Sequence, residues 1–301
     1  APKAIKALIQ GDNFENSLLA DSEMKKISQN MPAAYDLLPS EQYFNVKGSY
    51  AKVVDQYAFS NEPHDLDFEE SNIFIVNDHK LNAQALVNAN NLHTEDFDNY
   101  DLRTAGVDLY AINGCKAGTI GKFIEFRYHG ILGGDDYMVN SVKIKETPGD
   151  GTVPLESATN LPINEENKFY ALKASHAEML TQDGIRQKIV NIISGSALET
   201  KTITQDIVEC KLNGRAISVF SPLSIDIVDQ DGNHAGLASD GVSIENNIPN
   251  ADFEIIDEHK FIYLPTDEGQ TYVITVAGTG TGTFTITDET IEGNDVIQTQ
   301  V

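Results

Sequence analysis

The sequence of 301 residues is poor in basic side chains and has no long apolar run. Lys and Arg number 21 against 46 Asp and Glu, which gives a formal net charge of −25. A surface of that sign repels nucleic acid phosphates and anionic lipid head groups, so neither is expected as a partner. No stretch approaches the roughly 20 apolar residues of a transmembrane helix, and residues 1–20 lack the pattern of a signal peptide. We therefore predict no transmembrane segment.

Cysteine is equally scarce, with only Cys115 and Cys210 present. Two cysteines are too few for a disulfide framework. They fall in segments of different character, so we expect two buried free thiols, with a bridge as the less favoured alternative. Cysteine content alone leaves the redox compartment open.

The pattern of the chain changes near residue 200. The length predicts about two domains, and 41% hydrophobic residues exclude a disordered chain. Helical and strand patterns alternate before residue 200, whereas short strands separated by turn residues follow it. We therefore predict an α/β domain over 1–198 and a β-sandwich accessory domain over 199–301.

Local patterns predict the elements of the first domain. Helical patterns indicate a short helix in PKAIKALI and further helices over 21–30, 33–38, 49–59 and 80–97. The segments that follow indicate a strand over 107–114, a hairpin made of KFIEFRY and VNSVKIKE, a strand over 167–174, and a helix in TQDGIRQKIVNIISG that ends at Gly195.

Two loops of this domain carry side chains suited to catalysis. TPGDGTVPLESA places Asp150 between two glycines, and SHAEML places His176 at the end of the next predicted strand. A strand, an Asp loop, a strand, a His loop and a helix follow in the order seen at the end of a Ser, Asp, His triad. The Asp would accept a ring N–H of the His and stabilise the imidazolium. Asp150 alone would be read as an Asp-Gly turn, but the two loops together predict an acid and base pair.

These two segments resemble the Asp and His motifs of α/β-hydrolase lipases, in particular the lecithin:cholesterol acyltransferase-like group. Other segments similar to that group extend the resemblance over most of 1–195: ISQNMPAAYDLLPSEQYF, LNAQALVNANNLHTEDFDN and YAINGCKAGTIGKFIEF. The resemblance implies the C-terminal part of an α/β-hydrolase with a helical cap, followed by an all-β sandwich. It also implies Asp150 as the triad acid, His176 as the triad base, and a lid within about 20–105 over an acyl-binding cleft.

The family's nucleophile elbow is the part that the sequence lacks. No G-x-S-x-G occurs, and the serines in KGSY, SGSA and ASDG do not fit the pattern. APKAIKALI resembles the stretch that follows the nucleophile in the family, so we expect the serine on a preceding segment. The 301 residues alone should then be inactive, and they should associate with that missing half or with themselves.

Binding residues are also implied by the resemblance. It places Met31, Tyr35, Leu37 and Leu38 near the lid, where they would line an acyl cleft, although a helical apolar cluster is as readily ordinary core. His64, His79 and His93 fit no compact set of metal ligands. In DQDGN the glycine is one position early for a calcium loop, so a hairpin turn is predicted there. We expect no metal and no cofactor.

The expected function is part of a secreted or cell-surface serine hydrolase that cleaves carboxylic esters of acyl lipids. The acyl group would pass to water, or to an alcohol in an acyltransferase; amide or thioester substrates stay open. The alternative is a non-catalytic surface- or polymer-binding or structural protein with a hydrolase-like scaffold. A G-x-S-x-G in the preceding sequence would favour the enzyme.

Overall fold

The polypeptide folds into two units, each built from two separate stretches of sequence. The computed structural model describes residues 1–12, 21–98, 100–130, 136–196, 201–220, 222–239, 243–266 and 269–301. The first unit comprises Ala1–Tyr100 and Ile120–Lys145. The second comprises Asp101–Thr119 and Glu146–Val301, and it contains both loops that the sequence singles out.

Most of the α-helices lie in the first unit. In chain order the helices are α1 (Lys3–Ile9), α2 (Asp21–Asn30), α3 (Pro32–Asp36), α4 (Glu41–Lys47), α5 (Phe68–Ile73), α6 (Ala83–Asn91), α7 (Leu155–Ala158) and α8 (Asp183–Ser194). The described helices include none with the length and apolar character needed to cross a membrane. The predicted helices over 21–30, 33–38 and 80–97 correspond to α2, α3 and α6.

The strands are distributed over both units. In chain order they are β1 (Ala51–Gln56), β2 (Asn61–Asp65), β3 (Ala111–Gly114), β4 (Ala117–Tyr128), β5 (Met138–Gly149), β6 (Lys168–Ala171), β7 (Ile203–Thr204), β8 (Asn213–Phe220), β9 (Leu223–Asp229), β10 (His234–Leu237), β11 (Ile244–Asn246), β12 (Asp252–Ile256), β13 (His259–Pro265), β14 (Tyr272–Gly278), β15 (Thr285–Glu292) and β16 (Asp295–Gln300).

The predicted fold class, the C-terminal part of an α/β-hydrolase with a helical cap followed by an all-β sandwich, is wrong. The described strands form four separate, mostly antiparallel sheets, ordered β2-β1-β4-β5, β3-β6-β7, β11-β10-β9-β14 and β12-β13-β8-β15-β16. Two pairs among them, β1 with β4 and β3 with β6, are parallel. A hydrolase core needs one central parallel sheet flanked by helices. The many short connections between successive strands favour antiparallel pairing instead.

The segment over 49–59, predicted as a helix, contains strand β1. β1 pairs with β2 on one side and with β4 on the other. Its apolar residues Ala51, Val53 and Val54 are buried. A strand that is buried on both faces gives a short continuous apolar run, which periodicity cannot distinguish from a helix. The predicted lid region, about 20–105, therefore contains strands β1 and β2 as well as helices.

The C-terminal half of the second unit is built from two antiparallel sheets. Strands β9, β10 and β11 of one sheet, and strands β8, β12 and β13 of the other, contribute side chains to a common apolar core, which includes Val219, Ile227, Phe253 and Leu264. The turn between β9 and β10 follows the hairpin prediction for DQDGN. The carboxylate of Asp229 accepts the N–H groups of Asp231 and Asn233 there.

One histidine of this half makes stability depend on pH. His234 lies between the carboxylates of Asp226, at 2.6 Å, and Glu245, at 2.9 Å. Burial lowers the pKa of His234, but its hydrogen bonds and the two nearby charges outweigh burial, so the pKa lies above its ordinary value of 6.5. Such a group stabilises the fold fully below its unfolded pKa, and that stabilisation is lost as the pH rises through the folded pKa.

We expect His234→Gln to lower the free energy of unfolding by about 1 kcal/mol at about pH 5.5 and by much less at about pH 9. Urea unfolding of both proteins at the two pH values measures this. An equal loss at both pH values would contradict an ionic role for His234.

The prediction of two free thiols is wrong, because Cys115 and Cys210 form a disulfide with their Cα atoms 5.3 Å apart. Both belong to the second unit, which takes its first stretch from Asp101–Thr119. The bridge is buried beside Leu155 and Tyr170. It therefore connects the segment after β3 to the turn that precedes β8.

Candidate active site

Asp150 lies in a tight turn directly after β5. Its Oδ1 accepts the N–H of Thr152 at 3.0 Å and the N–H of Val153 at 2.7 Å. Gly151 has φ +88°, a left-handed conformation that glycine adopts without steric strain. The carboxylate is buried, and the turn fixes one of its two oxygens. The other oxygen, Oδ2, is thereby held in one direction.

His176 lies in the loop between β6 and α8 and is bound to Asp150 twice. Its backbone N–H donates to the Asp150 carbonyl oxygen at 2.8 Å, and its ring Nδ1 lies 2.8 Å from Oδ2. A carboxylate only accepts, so Nδ1 carries the proton and Nε2 is the nitrogen that can take one. The side chain of His176 is 54% exposed, whereas that of Asp150 is 8% exposed. A buried acid therefore orients an accessible base.

The small sheet β3-β6-β7 and helix α8 support the histidine loop. Ala171, Ala174 and Ile185 are buried together there, with Met179 and Ile189 packed against them. The predicted helix is confirmed as α8, and Gly195 follows it in a left-handed conformation. Ser175, beside His176, donates its hydroxyl to Glu178 at 3.4 Å.

Gly114, at the end of β3, lets the two loops approach each other. A Cβ at this position would lie 2.7 Å from Asp150 Cβ and 2.9 Å from the Ala174 carbonyl oxygen. It would also lie 2.9 Å from Met179 Cε. No other residue type fits without moving the backbone of the site. The sequence-based prediction did not single out this glycine, and the only signal was its place at a predicted strand end.

Gly114→Ala is expected to lower the free energy of unfolding by about 1–3 kcal/mol and to separate His176 from Asp150, because the added methyl overlaps Asp150 Cβ and the Ala174 carbonyl oxygen. Urea unfolding and the NMR spectrum of the His176 ring measure the two effects. Gly278→Ala is the matched control, since no atom lies within 4 Å of the position a Cβ would take there. Equal behaviour of the two variants would contradict the close packing at Gly114.

Thr119 is the second residue that the sequence-based prediction missed. Its side chain is fully buried, and its Oγ1 accepts the N–H of Gly151 at 2.8 Å. The same hydroxyl donates to the Ala117 carbonyl oxygen at 3.2 Å. Thr119 lies outside the predicted strands, although the structure includes it in β4, and nothing in its local sequence indicates such a contact.

The four residues predicted to line an acyl cleft lie on and beside α3, in the first unit. Tyr35 and Leu38 are buried, whereas Met31 and Leu37 are exposed. The Tyr35 hydroxyl donates to the Gln29 carbonyl oxygen and accepts the Asn82 N–H, each at 3.0 Å. The Tyr35 hydroxyl therefore links α3 to α2 and to the N-terminus of α6. The cleft itself stays a prediction.

The histidines considered as metal ligands each contact a carboxylate. His64 lies 2.8 Å from Glu70, His93 lies 3.1 Å from Asp98, and His79 lies beside a buried glutamate. Within the described ranges, no three His, Cys, Asp or Glu side chains are grouped so that they could hold a metal ion.

Neither protein-family models nor curated proteins give a match to this chain. The resemblance to lecithin:cholesterol acyltransferase-like lipases therefore depends on the quoted segments alone. The chemistry available at the site depends on what Asp150 and His176 can do together.

Proposed function

We propose that Asp150 and His176 are the acid and the base of a serine ester hydrolase, with the nucleophilic serine supplied from outside the 301 residues. The observation that carries the proposal is the contact of 2.8 Å between Nδ1 and Oδ2, with the acid buried and the base accessible. The proposal does not require an α/β-hydrolase fold, because the same catalytic arrangement occurs on unrelated folds.

The geometry supports a two-step acyl transfer. His176 Nε2 takes the serine proton while the serine oxygen attacks the ester carbonyl, and Asp150 stabilises the imidazolium that forms. His176 then returns the proton to the departing alcohol, which leaves an acyl-enzyme. In the second step it takes a proton from water, or from an acceptor alcohol, and the serine leaves with that proton.

Carboxylic esters of acyl lipids are the proposed substrates. The resemblance of the Asp and His segments to lipases favours them. Leu180, four residues after His176 in the sequence, is 74% exposed, and an exposed apolar side chain in the segment of the base suits an acyl chain. The assignment of Met31, Tyr35, Leu37 and Leu38 to an acyl cleft stays a prediction from the resemblance.

A secreted or cell-surface location is part of the proposal. The disulfide between Cys115 and Cys210 supports it, because disulfides persist in oxidising compartments. The net charge of −25 is consistent with a protein that works away from anionic partners.

Hydrolysis of p-nitrophenyl esters by the protein encoded by the complete open reading frame tests the proposal. We expect turnover by that protein, none by the 301 residues alone, and loss of turnover in His176→Gln. His64→Gln is the matched control, since its ring is similarly exposed and also lies 2.8 Å from a carboxylate. Turnover that survives His176→Gln would overturn the assignment of the base.

The absence of G-x-S-x-G from the 301 residues favours a second candidate, a non-catalytic binding protein in which the antiparallel sheets bind a surface or polymer. A complete protein without ester turnover, and without a serine that reacts with a fluorophosphonate, would support this candidate. Turnover by the 301 residues alone that His176→Gln abolishes would place the nucleophile within them.

A further inference from the structure

We propose that Thr119 is a positioning residue for the pair formed by Asp150 and His176, and that its hydroxyl performs this role. The catalytic consequence rests on the proposed function, whereas the effect on the His176 ring does not. Thr119 acts on the backbone on both sides of Asp150.

The first contact is on the C-terminal side of the acid. The Gly151 N–H donates to Thr119 Oγ1 at 2.8 Å, so the hydroxyl fixes the peptide group that joins Asp150 to Gly151. Gly151 has φ +88° and no side chain to restrict it. The carbonyl oxygen of the same peptide group accepts the His176 N–H at 2.8 Å, so the group is held at both ends. Loss of the Thr119 acceptor would remove one of these two bonds, and the orientation of the Asp150 turn would be less restricted.

The second contact is on the N-terminal side. A Cβ at Gly149 would lie 2.4 Å from Thr119 Oγ1 and 2.8 Å from Thr119 Cβ. The end of β5 therefore runs directly against the threonine. Gly149 also forms a bridge with Pro154, which closes the turn around Asp150. Thr119 thus contacts the residues immediately before and after the acid.

The hydrogen-bonding role of the Thr119 hydroxyl can be separated from the space that the side chain fills. Thr119 is fully buried, and valine would fill the same volume. Valine would leave the Gly151 N–H without its acceptor, and it would also lose the bond to the Ala117 carbonyl oxygen. A core-filling role predicts that valine substitutes well, whereas a positioning role predicts that only serine does.

The test compares Thr119→Val and Thr119→Ser in the 301-residue chain and in the complete protein. Nitrogen-15 chemical shifts of the His176 ring at alkaline pH report which nitrogen carries the proton. We expect the Nδ1–H tautomer in the wild type and in T119S, and the tautomer mixture of an unpaired imidazole in T119V. In the complete protein, T119V should lower kcat about 10- to 100-fold with little change in KM, and T119S should restore it.

Thr159→Val is the matched control, because its hydroxyl also donates to a backbone carbonyl oxygen, that of Leu155 at 2.9 Å, but within helix α7 and its C-cap rather than to residues 149–151. If T119V does not fold, Thr119→Ala replaces it, since alanine and serine both lack the methyl and differ only in the hydroxyl. An unchanged His176 tautomer in the valine or alanine variant would overturn the proposal. A loss of the Nδ1–H tautomer, or of kcat, in T119S equal to the loss in T119V would also overturn it.

The two proposals fail in different ways. A tautomer change confined to T119V, in a complete protein that hydrolyses no ester, would refute the proposed function and retain the positioning role. Ester turnover that depends on His176 but is equal in T119V and wild type would retain the function and refute the positioning role.

Discussion

Asp150→Asn is expected to lower kcat for ester hydrolysis by about 10⁴ while the fold stays intact. Asparagine suits tight turns, and its amide oxygen can replace Oδ1 as the acceptor for the N–H groups of Thr152 and Val153. The amide nitrogen then takes the place of Oδ2 opposite His176. The turn therefore keeps its backbone bonds and changes only what it presents to the histidine.

The reason for the loss is the tautomer of the base. An amide N–H₂ donates, so it stabilises the form of His176 that accepts at Nδ1 and carries its proton on Nε2. That form cannot take a proton from a serine hydroxyl. It also lacks the carboxylate that would stabilise the imidazolium in the transition state.

Asp229→Asn is the matched control, since Asp229 also accepts two backbone N–H groups in a turn, but that turn belongs to the hairpin of β9 and β10. Steady-state kinetics of both variants in the complete protein measure the difference. A kcat of Asp150→Asn close to that of Asp229→Asn would contradict the role of Asp150 as the acid.

Removal of the disulfide is expected to lower the free energy of unfolding of the second unit by about 4–5 kcal/mol, from chain entropy alone. The bonded cysteines are 95 residues apart, so the bridge restricts a long loop in the unfolded chain. Both are almost fully buried, at 0% and 1% exposure, and alanine is the replacement that leaves no buried polar group.

Urea unfolding of the oxidised protein, the reduced protein and the double variant Cys115→Ala/Cys210→Ala measures this effect. Far-UV circular dichroism is a suitable signal, because the chain contains no Trp. A reductant should destabilise the wild type and leave the double variant unchanged. Two free thiols titrated in the unfolded, unreduced protein would contradict the bridge.

The disulfide also bears on the site. Cys115 directly follows Gly114, and its N–H donates to the Ala171 carbonyl oxygen at 3.2 Å. Loss of the bridge is therefore expected to loosen β3 against β6, and with it the packing between Gly114 and Asp150.

The contact between Asp150 and His176 was accessible from the sequence because both loops are defined locally. Glycines on both sides of Asp150 indicate the turn, and the helix that ends at Gly195 has its own apolar pattern and termination signal. The order of strand, Asp loop, strand, His loop and helix, compared with that of a Ser, Asp, His triad, then predicts that the two loops meet.

The parts of the fold and of the site that the sequence did not predict depend on contacts between separate segments, which local patterns do not encode. Strand β1 fits a helical spacing as well as a strand, and only its pairing with β2 and β4 decides between them. The predicted fold class was wrong for the same reason, since the partners of each strand determine whether a sheet is parallel. Gly114 and Thr119 matter only through atoms that the fold brings against the Asp150 turn.

Reaction of the complete protein with a fluorophosphonate tests the central claim most directly, because the probe forms an adduct only with a serine that a base has activated. We predict an adduct on a single serine in the wild type and in the His64→Gln control. In His176→Gln the rate of labelling should fall by orders of magnitude, as expected for loss of the triad base. Labelling of that serine at the same rate in His176→Gln and wild type would contradict the assignment of His176 as the base.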